Sequence, residues 1–259
     1  MHAVTDFEIA SLDIAARIAE SAAAAIATAG RGVRSEEARD IKIEADFAAD
    51  RHIHDELGRL SGIPVLSEER DPALARDVES YRWIVDPVDG SFNFARGIPF
   101  CCVSIGLWKG RQPIAGVIRD LDRGELFTGL VGHGAWLDGR PIRVSSVRER
   151  ARAALCSGLP GAGDHGAERL ARLVARANAF KKVRLLGSAA LMLAYVACGR
   201  ADLYAEDGIA IWDVGAGLAL VQAAGGSFRW RPAAGPDRYD VEADNAVLER
   251  DATSITEES

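Results

Sequence analysis

An apolar segment near the middle of the chain ends in two closely spaced aspartates. Asp86 and Asp89 follow the run Trp-Ile-Val of a predicted buried strand, and Pro87 restricts the backbone between them. Two carboxylates held in this way can face one small volume, which suits Mg²⁺ because this ion prefers oxygen ligands in tight geometry. The alternative is a solvent-exposed turn, since Asp-Gly pairs are common in turns.

Gly90 and Ser91 come directly after these aspartates. Their backbone N–H groups and the serine hydroxyl could hold a phosphate group, especially where a helix begins. The pattern therefore predicts a phosphate site beside the metal site.

Two further acidic residues stand at the edges of predicted elements. Glu68 follows the apolar segment 64–66, and Asp213 lies in the first turn of a predicted helix. Either carboxylate could complete the cation site. Taken singly, Glu68 is more typical of an acidic surface, and Asp213 of a helix start where negative charge interacts favourably with the helix dipole.

The hydrophobic pattern of the first half predicts two helices followed by a sheet. Apolar residues from Phe7 to Ile18 repeat at helical spacing in a helix that ends near Gly30, and a second helix is predicted over about 45–57, with Asp46 in its first turn. Residues 64–144 contain short apolar segments separated by glycine, a pattern typical of neighbouring antiparallel strands.

After about residue 145 the chain alternates between strand and helix patterns, which indicates an α/β lobe. We therefore expect a mixed α/β (α+β) fold of two lobes packed as one catalytic unit. Residues 1–145 would form an N-terminal α+β lobe with most metal ligands. Residues 146–259 would form a C-terminal α/β lobe with Asp213 and the substrate contacts.

Charge and composition exclude several classes of protein. The net charge is -7, with 31 Lys and Arg against 38 Asp and Glu, which argues against a nucleic-acid partner. Acidic residues such as Asp6 and Glu8 interrupt the N-terminal segment, so neither a signal peptide nor a membrane span is expected, and we expect a cytoplasmic protein. The 4 cysteines form no C-x-x-C pair, which gives zinc and dithiol chemistry little support.

The sequence resembles the inositol monophosphatase family, the lithium-sensitive, metal-dependent phosphatases, over nearly the whole chain. The segments that carry the resemblance are EAD at 44–46, SEE at 67–69, DPVDGSFNF at 86–94, GSAAL at 187–191, GRADLYAE at 199–206 and WDVGAG at 212–217, with AAGG at 223–226. The resemblance implies a layered α-β-α-β-α sandwich like that of inositol monophosphatases and fructose bisphosphatases. It also implies a homodimer and two or three bound Mg²⁺ ions.

The resemblance implies roles for the matching residues. The metal ligands would be the Val88 carbonyl and the carboxylates of Glu68, Asp86, Asp89 and Asp213. Ser91, where the family usually has threonine, would act with Asp46 on the attacking water, and Glu68 would share in catalysis. The substrate ligands would be Gly90, Ser91, Gly187, Ser188 and Glu206.

Two departures from the family pattern concern the surroundings of these residues. Lys42-Ile43 stands where the family commonly has Val-Thr, so a hydroxyl near Asp46 is missing. Ser67 stands where the family has glycine before the two glutamates.

The predicted activity is magnesium-dependent hydrolysis of a small phosphorylated metabolite, with inositol monophosphate as the first candidate. Fructose 1,6-bisphosphate, histidinol phosphate and a 3′-phosphoadenosine nucleotide are alternatives within the same family. A protein that keeps the fold to bind a partner without catalysis is an alternative of another class. For Glu206, a hydroxyl-binding carboxylate and an exposed turn over Glu206-Asp207-Gly208 are about equally compatible with the sequence.

Overall fold

The computed structural model describes residues 4–37, 40–70, 79–159, 166–250 and 254–255. The helices in these residues are α1 (Asp6–Ala29), α2 (Glu44–Ser61), α3 (Ser91–Arg96), α4 (Ala167–Ala179), α5 (Ala189–Ala197) and α6 (Ile211–Ala223), with a 3-10 turn at Arg150–Arg152. None of the helices in the described residues has both the length and the apolar character needed to cross a bilayer.

The strands form two large sheets and one hairpin. The hairpin pairs β1 (Val33–Glu37) with β2 (Asp40–Ile43). The seven-stranded sheet contains, in spatial order, β3 (Val65–Ser67), β4 (Tyr81–Asp89), β5 (Cys102–Lys109), β6 (Gln112–Asp120), β7 (Leu126–Leu130), β8 (Gly134–Leu137) and β9 (Arg140–Ile142). Its strands are antiparallel apart from the parallel pair β3–β4, so the predicted sheet of neighbouring antiparallel strands is confirmed.

The five-stranded sheet follows in the second half of the chain. Its spatial order is β11 (Lys182–Arg184), β10 (Ala154–Ser157), β12 (Leu203–Ala210), β14 (Arg238–Asp244) and β13 (Ser227–Pro232). Strands β11, β10 and β12 are parallel, whereas β14 pairs antiparallel with both β12 and β13.

Helices and sheets alternate in layers. Helices α1 and α2 pack on one face of the seven-stranded sheet, and α5 and α6 contact both large sheets. Helix α4 is tied to β12 by ion pairs from Arg172 and Arg176 to Asp207. The predicted layered α/β fold is confirmed. The larger hydrophobic core contains residues from both halves of the chain, such as Ile84 and Leu193, and the division at residue 145 stays a prediction.

One helix, one hairpin and two strands differ from the sequence prediction. Helix α2 continues through Gly58 to Ser61, where Gly62 ends it in a left-handed conformation with φ 66°. The β1–β2 hairpin and strand β14 were not predicted. Strand β12 extends to Ala210 and is buried throughout, which contradicts the exposed turn at Glu206-Asp207-Gly208, one of the two alternatives for this segment.

Helix α6 approaches the seven-stranded sheet more closely than side chains would allow. A Cβ on Gly106 of β5 would lie 2.9 Å from the Ala216 nitrogen, and one on Gly116 of β6 would lie 3.0 Å from the Ala216 carbonyl carbon. Trp108 donates its Nε1–H to the Gly215 carbonyl at 3.0 Å. These contacts fix the helix that carries Asp213 in its first turn.

Candidate active site

Three carboxylates from different elements converge on one small volume. Glu68 follows β3, Asp86 lies in β4, and Asp213 lies in the first turn of α6. One carboxylate oxygen from each residue lies within 4.8 Å of the other two. Asp86 is buried, and Glu68 and Asp213 are half-buried. An all-oxygen group of this kind fits a hard divalent cation such as Mg²⁺.

A bulge in β4 directs Asp86 towards this volume. The pairing of β4 with β5 is interrupted between Asp86 and Asp89, where Pro87 lacks a backbone donor. The Asp86 Oδ1 accepts the Val88 N–H at 3.0 Å, which fixes the side chain against the turn.

The site holds negative charge at a free-energy cost when no cation compensates it. Burial, followed by the charges of Glu68, Asp89 and Asp213, raises the pKa of Asp86 well above its ordinary value. Burial and the charges of Glu68 and Asp89 raise the pKa of Asp213 in the same direction. A bound divalent cation would oppose both causes, so the residues present fit a metal.

Asp89 occupies a different environment from the other three carboxylates. Its Oδ2 accepts hydrogen bonds from the Ser188 hydroxyl at 2.6 Å and the Ala190 N–H at 2.7 Å, and its Oδ1 accepts the Ala189 N–H at 3.3 Å. Asp89 therefore interacts with the N-terminus of α5, where a negative charge is favourable. Burial still raises its pKa to about 6, against the lowering effect of these bonds. Its role as a metal ligand stays a prediction.

Ser91 and Asp46 are in contact across 45 positions of sequence. The Ser91 hydroxyl lies 3.2 Å from the Asp46 Oδ1 and 2.8 Å from the Val88 carbonyl, so it can donate to either oxygen. The other Asp46 oxygen accepts the Ile43 N–H at 2.9 Å. The family commonly has a threonine hydroxyl near this aspartate, and this chain lacks it. Here the Ile43 backbone N–H orients Asp46.

Gly90 and Gly187 bring two loops together beside the carboxylates. Gly90 has φ 91°, and a Cβ on it would lie 3.1 Å from the Gly187 carbonyl oxygen. Asn93 holds this approach, because its Nδ2 donates to the Leu186 carbonyl at 2.7 Å and to the Phe100 carbonyl at 2.8 Å. Sequence reasoning gave Asn93 no role, since the Leu186 contact is 93 positions away.

Glu206 is a buried strand residue with one fixed oxygen. Tyr204, which is fully buried, donates its hydroxyl to the Glu206 Oε2 at 2.9 Å. Burial is the largest cause that raises the pKa of Glu206 to about 7, while the Tyr204 hydrogen bond opposes it. The other carboxylate oxygen has no hydrogen bond within the described ranges and is available as an acceptor.

The segment that carries Glu68 is held by a hydrogen-bond network that the sequence did not reveal. The Ser67 hydroxyl donates to the Asp50 Oδ1 at 2.6 Å, and the Arg70 Nε donates to the Asp50 Oδ2 at 2.7 Å. The Glu68 N–H donates to the Val85 carbonyl at 3.3 Å. Ser67, in the family's glycine position, thus ties the strand end to α2.

Comparisons with known proteins identify the family of this chain. A model described as the inositol monophosphatase family matches residues 1–253. An inositol-1-monophosphatase of Mesorhizobium japonicum is 40% identical over 219 residues, covering 82% of this chain and 80% of the relative.

Two solved structures share the fold over almost the whole chain. The extragenic suppressor protein suhB of Bartonella henselae has a TM-score of 0.81 and 32% identity, covering 92% of this chain and 95% of its own. The inositol monophosphatase of Anabaena has a TM-score of 0.77 and 33% identity, covering 91% and 90%. The layered fold is that of a phosphatase family, and the acidic centre is a group of carboxylates that could hold a metal ion. The chain belongs to the inositol monophosphatase family, whose members are phosphatases.

The raised carboxylate pKa values predict a stabilising effect of Mg²⁺ that increases with pH. In the cation-free protein, Asp86 and Asp213 bind protons more tightly when folded than when unfolded, so stability falls as pH rises above their unfolded pKa. Protons compete with the cation at low pH. At pH 8, we expect Mg²⁺ at about 100 times its Kd to raise Tm by roughly 5–10 °C. The same Mg²⁺ concentration should raise Tm by less at pH 5.

Calorimetry of the wild-type protein and two variants, with and without Mg²⁺, checks this effect. Asp86→Asn should lose the Mg²⁺-dependent shift in Tm, whereas Asp13→Asn, a matched change at an exposed position of α1, should keep it. An equal shift in both variants would place the bound cation elsewhere.

Proposed function

We propose that this protein is a magnesium-dependent phosphomonoesterase that hydrolyses a small phosphorylated metabolite, with inositol monophosphate as the first candidate. The observation that carries the proposal is the convergence of Glu68, Asp86 and Asp213 within 4.8 Å. Membership of a phosphatase family supports it, as do relatives named inositol monophosphatase. The retention of these carboxylates favours catalysis over the alternative of a non-catalytic binding protein.

Two or three Mg²⁺ ions would be held by Glu68, Asp86, Asp89, Asp213 and the Val88 carbonyl. A bound divalent cation would attract the phosphate oxygens and lower the pKa of a coordinated water. The bulge at Pro87 supports this ligand set, because it turns the Asp86 side chain and the Val88 carbonyl away from regular sheet pairing. Glu68, which is half-buried, is the carboxylate we assign to both metal binding and catalysis.

Ser91 and Asp46 would orient the attacking water and accept its proton. The Ser91 oxygen can accept a hydrogen bond from water while its own proton is donated to Asp46 at 3.2 Å. The Ile43 N–H holds the second Asp46 oxygen, so the carboxylate keeps one orientation during proton transfer.

Backbone and side-chain groups around the carboxylates would hold the substrate. The phosphate would contact the N–H groups of Gly90 and Ser91, while the loop at Gly187 and Ser188 borders the leaving group. Glu206 would accept a hydrogen bond from a hydroxyl of that group. The loops are already joined through Asn93, which supports a site that is largely formed before substrate binds.

We also propose a cytoplasmic homodimer that is inhibited by lithium and binds neither nucleic acid nor membrane. The family resemblance supports the dimer and the lithium sensitivity. The net charge of -7 supports the absence of a nucleic-acid partner. Fructose 1,6-bisphosphate, histidinol phosphate and a 3′-phosphoadenosine nucleotide remain the alternative substrates.

Release of inorganic phosphate from a panel of these substrates tests the proposed function. With Mg²⁺, the purified protein should hydrolyse inositol monophosphate, and a chelator should abolish the activity because the carboxylates alone repel the phosphate. Asp89→Asn should also lower turnover strongly, since the amide lacks the charge. Full activity in the chelator, or no hydrolysis of any panel member with Mg²⁺, would refute the proposal.

A double-mutant cycle tests whether Ser91 and Asp46 act as one unit. Ser91→Ala and Asp46→Asn should each reduce kcat by about 100-fold or more, and the double variant should lose little further activity, as for catalytic groups that work together. Ser91→Thr keeps the hydroxyl and is the control that should retain activity. If the fold-reductions in kcat of the two single variants multiply in the double variant, the two residues act independently.

A further inference from the structure

A cavity adjoins Glu206 on the side facing α4. It lies between the end of β10, helix α4 and strand β12, and its lining includes Gly158, Leu159, Arg169, Arg176 and Asp207. Gly158 belongs to both the cavity and the Glu206 site, because a Cβ on it would lie 2.8 Å from the Glu206 carboxyl carbon. The cavity therefore shares a lining residue with the surroundings of the Glu206 carboxylate.

Three arginines of α4 lie along the β12 side of the helix, but only two of them are paired there. Arg172 and Arg176 both contact the Asp207 carboxylate at 2.9 Å. Arg169, one turn earlier, makes no hydrogen bond or ion pair with any residue that the structure describes. The cavity wall thus carries a guanidinium whose donors are not used within the described protein.

The guanidinium of Arg169 lies against the backbone that follows Glu206. Its Nη2 would lie 2.9 Å from a Cβ on Gly208, whose φ of 76° also favours glycine. The Gly208 N–H donates to the Asp240 Oδ1 at 2.9 Å, and its carbonyl accepts from Arg238 at 3.0 Å. This strand segment is held on both sides, so the guanidinium faces a rigid surface beside Glu206.

The charges of Arg169 and Glu206 interact across this surface. The positive charge of Arg169 lowers the pKa of Glu206, in opposition to burial, which is the largest cause of its raised pKa. A leaving group in contact with Glu206 is therefore within the electrostatic range of Arg169.

We propose that Arg169 is a specificity-determining residue that binds a second anionic group, a phosphate or carboxylate, on the leaving group of the substrate. The inference rests on the proposed function, and Glu206 accepts a hydroxyl of the same leaving group. A guanidinium suits this role because its planar set of donors matches the oxygens of a phosphate or carboxylate. The competing explanation is that Arg169 only offsets the charge of Glu206.

Matched pairs of substrates separate these explanations. Fructose 1-phosphate and fructose 1,6-bisphosphate differ by one phosphate, as do inositol 1-phosphate and inositol 1,4-bisphosphate. With Mg²⁺, the wild-type protein should show the lower KM for the doubly phosphorylated member of at least one pair. Arg169→Met should raise that KM by about 10- to 100-fold, the loss expected for a charged hydrogen bond, with little change in kcat. For the singly phosphorylated member, both parameters should change by less than about twofold, because it lacks the second anion.

Three further variants complete the experiment. Arg152→Met removes the same charge from an arginine whose side chain is 74% exposed, and it should leave all parameters unchanged. Arg169→Lys keeps the charge and should recover part of the lost affinity, which guards against a folding defect in Arg169→Met. Glu206→Gln should weaken the binding of both members of a pair.

The outcomes distinguish the inference from the proposed function. The role of Arg169 would be overturned, while hydrolysis persists, if Arg169→Met changed the KM of both members of a pair equally. It would also be overturned if the wild-type KM were no lower for either doubly phosphorylated substrate. If none of the four phosphate esters is hydrolysed, the inference is overturned; the proposed function is refuted as well only if no member of the full substrate panel is hydrolysed.

Discussion

Carboxylates repel one another when burial removes the water that screens their charges, and Glu68, Asp86 and Asp213 share one small volume. The protein has no cationic side chain within hydrogen-bonding distance of Asp86 among its described residues; instead Asp86 accepts the Val88 N–H. Burial first, and this repulsion second, raise the pKa values of Asp86 and Asp213. A compensating divalent cation would convert this destabilising arrangement into an attractive site for phosphate. The acidic group does not stabilise the cation-free protein. Its presence is therefore explained by the binding of a cation and a phosphate.

The fold provides rigid elements for groups that repel one another. Asp86 is fixed by the bulge in β4, and Asp213 is carried by a helix that approaches the sheet through Gly106 and Gly116. The Ser67–Asp50 hydrogen bond ties the segment before Glu68 to α2. Each carboxylate is thereby attached to a different part of the core, and the core can hold them together against their mutual repulsion.

Local sequence patterns predicted most of the helices and strands, because apolar spacing is set by the faces that each element buries. They also indicated the acidic site, since Asp86 lies at the end of a strong apolar strand and Glu68 follows another. The patterns were less informative for Glu206, because an Asp-Gly pair is typical of a turn. Only pairing with β14, a strand that was itself missed, extends β12 through Gly208.

Long-range contacts account for the residues that sequence reasoning did not find. Asn93 contacts Leu186 across 93 positions, and Asp50 contacts Ser67 across 17 positions. The predicted role of Asp89 as a metal ligand stays a prediction, and its hydrogen bond to Ser188, at the start of α5, spans 99 positions of sequence. A side chain's hydrogen-bond partner is determined by packing, and no local periodicity encodes it.

Anomalous scattering from crystals grown with Mn²⁺ tests the central claim most directly, because Mn²⁺ resembles Mg²⁺ in its preference for oxygen ligands. The account predicts an anomalous peak bounded by the carboxylates of Glu68, Asp86 and Asp213, and its loss in Asp86→Asn crystals. Well-ordered carboxylates with no peak between them, at an Mn²⁺ concentration that supports hydrolysis, would contradict it.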